Sequence, residues 1–477
     1  MTTPLEPVLR HAIAENPRYL EKLCDLIKIP SISFSGFPPE PLTEAAKTIE
    51  ILFSSLPGVN VKTLDGAGPA PALLITAQPQ DTPETKNLPT LLFYAHYDVQ
   101  PPMRENLWNT PPFEGVIKGP RLYGRGAADD KAGVILHYAL LKSYIESLGS
   151  VPLPIKILLE GEEEIGSPHL DELISRYSEE LKADCVVIAD CTNHQTGLPS
   201  LTTSLRGLVS FDLKLESMTA PLHSGMWGGP LPDPALALCQ LISTLADTEG
   251  NLIPPSLVSL IPPLDESILS ELKRIPHDDE EFCKQAGLLT GVPLRYQGFE
   301  ILKALWWQPA LVVSAFEAGM GKKTGNVLLP SAWCRLGLRI PPKMDPDKTC
   351  EALLEHLRKC VPAGLHLSIE NIHTAPGWET PIKHPIFELI TEALQKGYNQ
   401  SPLYIGCGGS IPFVNKLCTA LGGVPALLTG LEDPETLAHS ENESLFIPDF
   451  LKALKSQIIF TGFMADQKGI FSQSASK

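Results

Sequence analysis

The chain has 477 residues, 43% of them hydrophobic and 19% charged, which excludes a disordered protein and exceeds one ordinary core, so two domains are expected. The formal net charge of −17 excludes a phosphate-backbone binder, which needs clustered Lys and Arg, and its simplest meaning is solubility. Ten cysteines are scattered without a Cys-x-x-Cys pair, a usage that fits reduced core thiols in a cytoplasmic protein.

Met1 to Asn16 carries Pro4, Glu6 and Glu15 and no apolar core, so no signal peptide is expected there. No apolar run approaches membrane-spanning length. Residues 43–57 place Ile49, Leu52, Phe53 and Leu56 on one helical face, with Thr43 as N-cap and Gly58 just past the end. Strands are expected at 72–77 and 91–95, and a helix apolar nearly all round at 134–148. Ile155 to Leu159 and Cys185 to Ala189 are continuous apolar runs, as when both sheet faces are covered, and 168–181 can form the crossover helix. Near Arg206 the texture changes. Val209, Phe211, Leu213 and Leu215 alternate with polar residues, the mark of an antiparallel strand with one wet face. A helix at 235–246, a Pro-rich acidic stretch at 251–279, strands at 311–316, 333–340 and 365–372 and a helix at 348–360 complete a split βαβ unit. From His384 the α/β pattern returns, with a glycine-rich turn at 406–410, a strand at 425–428 and a closing helix from Pro448. The expected fold is α/β: a catalytic domain at 1–205 and 381–477, its central sheet mostly parallel with helices on both faces. A two-layer α+β domain is inserted at 206–380.

Two of these strands end on chemistry. Leu91 to Ala95 runs into His96-Tyr97-Asp98, and Ile155 to Leu159 into Glu160-Gly161-Glu162-Glu163-Glu164. Between them stand Gly124-Arg125-Gly126 and Asp129-Asp130-Lys131, just before a helix. The carboxyl edge of an α/β sheet is where ligands bind. Histidine with several carboxylates and no cysteine fits one or two divalent ions such as zinc, manganese or cobalt. Taken singly, each acid would be a surface charge. Their joint register argues for metal.

His96-x-Asp98, the Gly-Arg-Gly-x-x-Asp-Asp-Lys segment and the Glu-Gly-x-Glu-Glu-x-Gly-Ser segment together resemble the M20 metallopeptidases. Tyr97 to Pro101 is similar to their carnosinase-like dipeptidase branch, and the resemblance runs over about residues 15–465. It implies two divalent ions, zinc before manganese or cobalt, bridged by Asp129, one held by His96 and Asp190 and the other by Glu164 and His439. Such ions, roughly 3.5–4 Å apart, hold a shared hydroxide and polarise the scissile carbonyl. Glu163 would be the general base, and Asp98 would fix the His96 tautomer. The inserted domain would be a lid and dimerisation domain. Its His223 would stabilise the oxyanion across a homodimer interface. Arg339 would grip the substrate's C-terminal carboxylate, with Asn326, Gly409 and Ser410 as further substrate contacts.

The implied reaction is hydrolysis of the amide bond of dipeptides or short peptides with a free C-terminal carboxylate. One departure bears on it. Where the branch usually has Arg-Glu before Gly-Gly-Ser-Ile-Pro, this chain has Gly406-Cys407, and a neutral thiol does not pair with a substrate ammonium as a carboxylate does. N-acyl amino acids are therefore an alternative substrate class, in a deacylase or desuccinylase with the same machinery. A non-catalytic metal-binding scaffold is the alternative outside enzymes, and the complete ligand set with Glu163 argues against it.

Overall fold

The computed structural model describes residues 3–66, 68–319, 321–362, 364–409 and 412–467. Two compact units divide the chain: 1–203 with 380–405 and 416–477, and 204–379 with 406–415.

In the first unit, helices α1 (Leu5–Ile27) and α2 (Glu40–Ser54) precede strands β1 (Val59–Leu64), β2 (Ala72–Ala77) and β3 (Leu91–His96). Helix α3 (Lys131–Leu148) leads to β4 (Ile155–Glu160), β5 (Cys185–Ile188) and β6 (Ser200–Leu205). Helix α2 begins three residues before the expected cap Thr43, because its prolines occupy the first turn, where no amide donor is needed. The expected crossover helix is broken at Tyr177 into Leu170–Arg176 and Ser178–Leu181. Every residue of β3 and β5 is buried. Leu91, Phe93 and Ala95 join the core built with α1, α2 and α3, and the alternate residues Leu92 and Tyr94 are equally buried on the opposite face. A strand covered on both faces has no polar period, which is why the sequence shows an unbroken apolar run there.

The second unit contains β7 (Gly207–Glu216), β8 (Leu222–His223), α4 (Pro234–Ser243), α5 (Phe299–Trp307), β9 (Ala310–Glu317), β10 (Val327–Leu328), β11 (Ser331–Ile340), α6 (Pro346–Cys360) and β12 (His366–Ala375). Its sheet is antiparallel in the order β9-β11-β7-β12, the arrangement of a split βαβ unit. The apolar positions of β7 (Val209, Phe211, Leu213 and Leu215) share a core with α4 and α6. On its other face Asp212 is buried under a two-armed contact from Arg335, Nε to Oδ1 at 2.7 Å and a terminal nitrogen to Oδ2 at 3.0 Å. The Pro-rich acidic stretch forms short helices, among them Pro255–Val258 and Glu266–Arg274.

The chain then returns to the first unit with α7 (Ile386–Tyr398), β13 (Leu403–Cys407), β14 (Ala426–Leu428) and α8 (Ile447–Asp466). The large sheet runs β1-β2-β4-β3-β5-β14-β6, with β13 beside β6. Its centre, β4-β3-β5-β14, is parallel, and the flanking pairs are antiparallel. Residues beyond the carboxyl ends of the central strands therefore gather at one edge.

Candidate metal centre

Strand register brings the acidic tips together. In the parallel pairs His96 lies beside Glu160, and Tyr94 beside Ile188. Asp190 and the Glu163–Glu164 turn thus emerge next to His96. Asp130 caps α3 through its own carboxylate, which accepts the Gly133 N–H at 3.1 Å, and Asp129 is held immediately before that helix. The loop 437–443 delivers His439 from the far end of the chain.

Asp129 stands between two imidazoles. Its Oδ1 is 3.0 Å from Nε2 of His96, and its Oδ2 is 2.9 Å from Nε2 of His439. Asp190 Oδ1 lies 3.8 Å from Nε2 of His96, and Glu164 Oε2 lies 3.2 Å from Nε2 of His439. His96, Asp129 and Asp190 make one ligand group, and Asp129, Glu164 and His439 another, with ligand atoms within 4.8 Å of one another in each. Two nitrogen and carboxylate triads joined by a carboxylate that faces both ways match the donor set of a paired divalent site, so the residues fit such ions. The N–H bonds now shared between imidazole and carboxylate lie where a cation would draw on both.

Behind the ligands, Asp98 is fully buried and accepts from four directions. Nδ1 of His96 is 3.3 Å from Oδ1, which also takes the Glu163 N–H at 3.2 Å. Oδ2 takes the Ser33 hydroxyl at 2.7 Å and the Glu164 N–H at 3.1 Å. One carboxylate thus orients a ligand of each triad and the candidate base. Gln100 adds its backbone N–H at 3.1 Å and its side-chain amide at 2.7 Å to Glu164.

Charge is crowded here. Burial opposes the His96 cation, but Asp129, Asp190 and Asp98 outweigh it and hold that imidazole well above its usual pKa. Hydrogen bonds to the carboxylates of Asp129 and Glu164 push His439 up to about 11. Burial, with Asp190, Asp129 and Glu164 nearby, raises Glu163 well above the carboxylate range. Burial and the repulsion of Asp129 and Asp190 push Glu432 up to about 8. Glu432, which the sequence reading passed over, follows β14 and holds the Thr192 hydroxyl at 2.6 Å, two residues past Asp190. Its only sequence signal was a carboxylate just beyond a fourth parallel strand.

The remaining candidates belong to the second unit. His223 is exposed in β8 opposite Val327 of β10, and Ser224 N–H donates to Asn326 O at 3.0 Å, so His223 and Asn326 share one short ribbon. Arg339 sits half-buried on β11. Burial, then the nearby Arg339, lowers Arg206 to about 10, and Nε of Arg206 donates to Gly408 O at 3.1 Å. Arg339 is therefore grouped with Arg206 and the glycine turn. Gly409 N–H points to Cys407 Sγ at 3.3 Å, and Ser410 lies outside the described residues. Gly406 is fixed by packing: a Cβ there would meet Trp306 Cβ at 2.6 Å.

Residues 92–457 match the family described as peptidase family M20/M25/M40. The chain belongs to that family. Its relatives include a cysteinylglycine-S-conjugate dipeptidase of Corynebacterium striatum, 32% identical over 75% of this chain and 77% of its own length. The Cys-Gly metallodipeptidase DUG1 of Saccharomyces cerevisiae is 27% identical over 98% of this chain and 99% of its own. The solved structure of the di-peptidase Dug1p from Saccharomyces cerevisiae has a TM-score of 0.83 at 26% identity, covering 98% of this chain and all of that one. This M20 peptidase is thus a metal-dependent hydrolase, and among its described residues no helix is long and apolar enough to cross a membrane.

Proposed function

We propose that this M20 peptidase hydrolyses dipeptides. The observation that carries the proposal is Asp129, whose two oxygens each meet one His-carboxylate group, with Glu163 beside them on the backbone held by Asp98. The dipeptidase relatives support the substrate class. His96 and Asp190 would hold one ion, Glu164 and His439 the other, and zinc suits this borderline donor set best. When bound, such ions act as Lewis acids at the scissile carbonyl and acidify the attacking water.

The chain's own groups do the rest. Glu163 takes the proton of the attacking water and delivers it to the leaving amine. Asp98 keeps His96 in one tautomer and fixes the backbone of both Glu163 and Glu164. Arg339 binds the substrate's carboxylate with both arms of its guanidinium, and Gly409 and Ser410 are read as further substrate contacts. His223 and Asn326 stabilise the developing oxyanion.

The second unit, with residues 206–380 at its heart, is read as a lid and dimerisation domain. Its edge strand β9 exposes Val312, Val313 and Phe316, which supports a homodimer. His223, exposed on a short ribbon, is read as the residue donated to the partner's site; a monomer in sedimentation at micromolar concentration would refute this. None of the ten cysteines forms a disulfide, which supports a reducing cytoplasm.

Cys407 favours a second substrate class. Its sulfur accepts the Gly409 N–H and offers no charge to an ammonium, so an N-acylated substrate meets no penalty there. The deciding assay is hydrolysis of a free dipeptide and its N-acetylated form by protein stripped of metal and reloaded with zinc or manganese. Cleavage of the free dipeptide establishes the dipeptidase. Cleavage of only the blocked form makes the protein a deacylase, and cleavage of neither removes the peptide reading.

A further inference from the structure

The reaction scheme leaves one buried carboxylate at the site without a task. Glu443 is fully buried, four residues beyond His439. Its Oε1 accepts the backbone N–H groups of Ala128 at 3.0 Å and Asp129 at 3.2 Å. Its Oε2 accepts the Gly126 N–H at 3.0 Å and one guanidinium arm of Arg125 at 2.7 Å. Arg125, only 1% exposed, spends its other arm on two carbonyls, Pro101 at 3.1 Å and Ser440 at 2.9 Å.

The two loops so joined are the ones that carry Asp129 and His439. Neither is held by helix or sheet hydrogen bonds at the ligand itself. The His439 loop also runs against local preference, with Leu437 (φ 56°), His439 (φ 60°) and Asn442 (φ 67°) all left-handed without being glycine. Such a conformation persists only where its surroundings over-determine it. Burying a carboxylate is costly, and an apolar pair of equal volume would bond two loops with less desolvation. A carboxylate adds direction: it aims three backbone N–H groups of one loop at a single point fixed to the other.

We propose that Glu443, held by Arg125, is a positioning residue that sets the distance between Asp129 and His439. It rests on the metal-ligand reading above and on nothing about the substrate. Its consequence is that metal affinity depends on a residue that touches no ligand atom of the cation.

The test is zinc titration of metal-stripped, full-length Glu443→Gln in a competing chelator, beside the melting temperature of the same metal-free protein. Glutamine keeps the volume but turns an NH2 toward either the Ala128 and Asp129 donors or the Gly126 and Arg125 donors. The zinc dissociation constant should rise roughly 10- to 100-fold, the range for outer-shell partners of metal ligands. A Glu443→Gln protein with a lower melting temperature but wild-type zinc affinity would make Glu443 a structural staple and overturn the proposal. Should that variant fail to fold, Arg125→Lys decides. It leaves Glu443 a cation and all three backbone donors but removes the second arm that reaches Pro101 and Ser440, so weakened zinc binding is expected and unchanged binding overturns the proposal. Zinc is read without substrate, so failure of wild-type protein to cleave dipeptides would strike the proposed reaction and leave this inference standing.

Discussion

Asp98→Asn should weaken one metal site and not the other. Asparagine is nearly isosteric with aspartate, yet one of its two acceptor oxygens becomes a donor. If the NH2 replaces Oδ1, it faces the Glu163 N–H, which loses its acceptor, and Nδ1 of His96, which keeps the Asp98 carbonyl oxygen at 3.1 Å, so the NH2 itself finds no acceptor. If it replaces Oδ2, it faces the Ser33 hydroxyl and the Glu164 N–H. A hydroxyl can rotate to accept, a backbone N–H cannot. The second orientation therefore wins, and it orphans only the Glu164 amide. An unsatisfied buried donor costs about 1–3 kcal/mol, equivalent to roughly 5- to 150-fold in a binding constant. The loss should fall on the triad of Asp129, Glu164 and His439 and spare that of His96 and Asp190. Stepwise zinc titration against a chelator reads it: one of two phases should weaken, and it should be the phase that Glu164→Ala removes. Unchanged affinity in both phases, or weakening only of the phase that Asp190→Ala removes, would refute the account of Asp98.

Glu163→Ala should lower kcat roughly 10²- to 10⁴-fold, the worth of a general base, with zinc affinity near wild type; loss of zinc in that variant would sink the base assignment. Gly406→Ala places a methyl 2.6 Å from Trp306 Cβ and 2.9 Å from Ser204 Oγ, and overpacking of this kind costs about 1–3 kcal/mol. That cost should persist in a Trp306→Leu background, since leucine keeps the Cβ and Cγ that the new methyl meets, and its disappearance from the urea-unfolding free energies would show that the outer indole is the obstacle. His137 is buried, with one ring nitrogen 3.2 Å from Tyr94 O and the other 3.3 Å from the Gln457 amide, and burial lowers its pKa from 6.5 to about 4. Its neutral form is the native one, so it contributes stability that is fully present above pH 6.5 and is lost as pH falls toward 4, about 3 kcal/mol in all. His137→Gln should remove that part of the acid destabilisation in urea titrations, and parallel pH profiles for the two proteins would refute it.

The central strands were legible because burial on both faces leaves an unbroken apolar run, and two of these runs stop directly at His96 and Asp190. The gathering of candidate ligands was approachable in the same way, since His96, Asp190 and Glu164 follow strand ends by at most four residues, but their individual roles came only with the family resemblance. What escaped was of two kinds. The first turn of helix α2 and the short helix Pro255–Val258 were hidden by proline, which reads as a breaker but sits without cost in a first turn. The clamp of Arg125 and Glu443 joins residues 318 apart, and no local pattern announces such a pair. Glu432 was hidden differently, since Gly-Leu-Glu-Asp-Pro-Glu looks like any solvated loop until β14 is placed beside β5.

The acidity of the chain has two meanings, and the structure separates them. Glu179 and Glu180 lie exposed and pair with Lys182 and Lys62, as a solubilising charge run should. Glu163 and Glu164 sit half-buried at a strand tip and take up none of the chain's lysines or arginines among the described ion pairs. With no cation to share, this cluster gathers protons instead: His96 and His439 are pushed up as imidazoliums, and Glu163, Asp190 and Glu432 are pushed up toward their neutral forms. A fold that only needed solubility would have left these groups in water. Bringing them under two buried strands raises their energy, and divalent cations, by displacing the protons, are what lowers it again. The same crowding that makes the metal-free site costly therefore suits it to the divalent ions of a metallopeptidase.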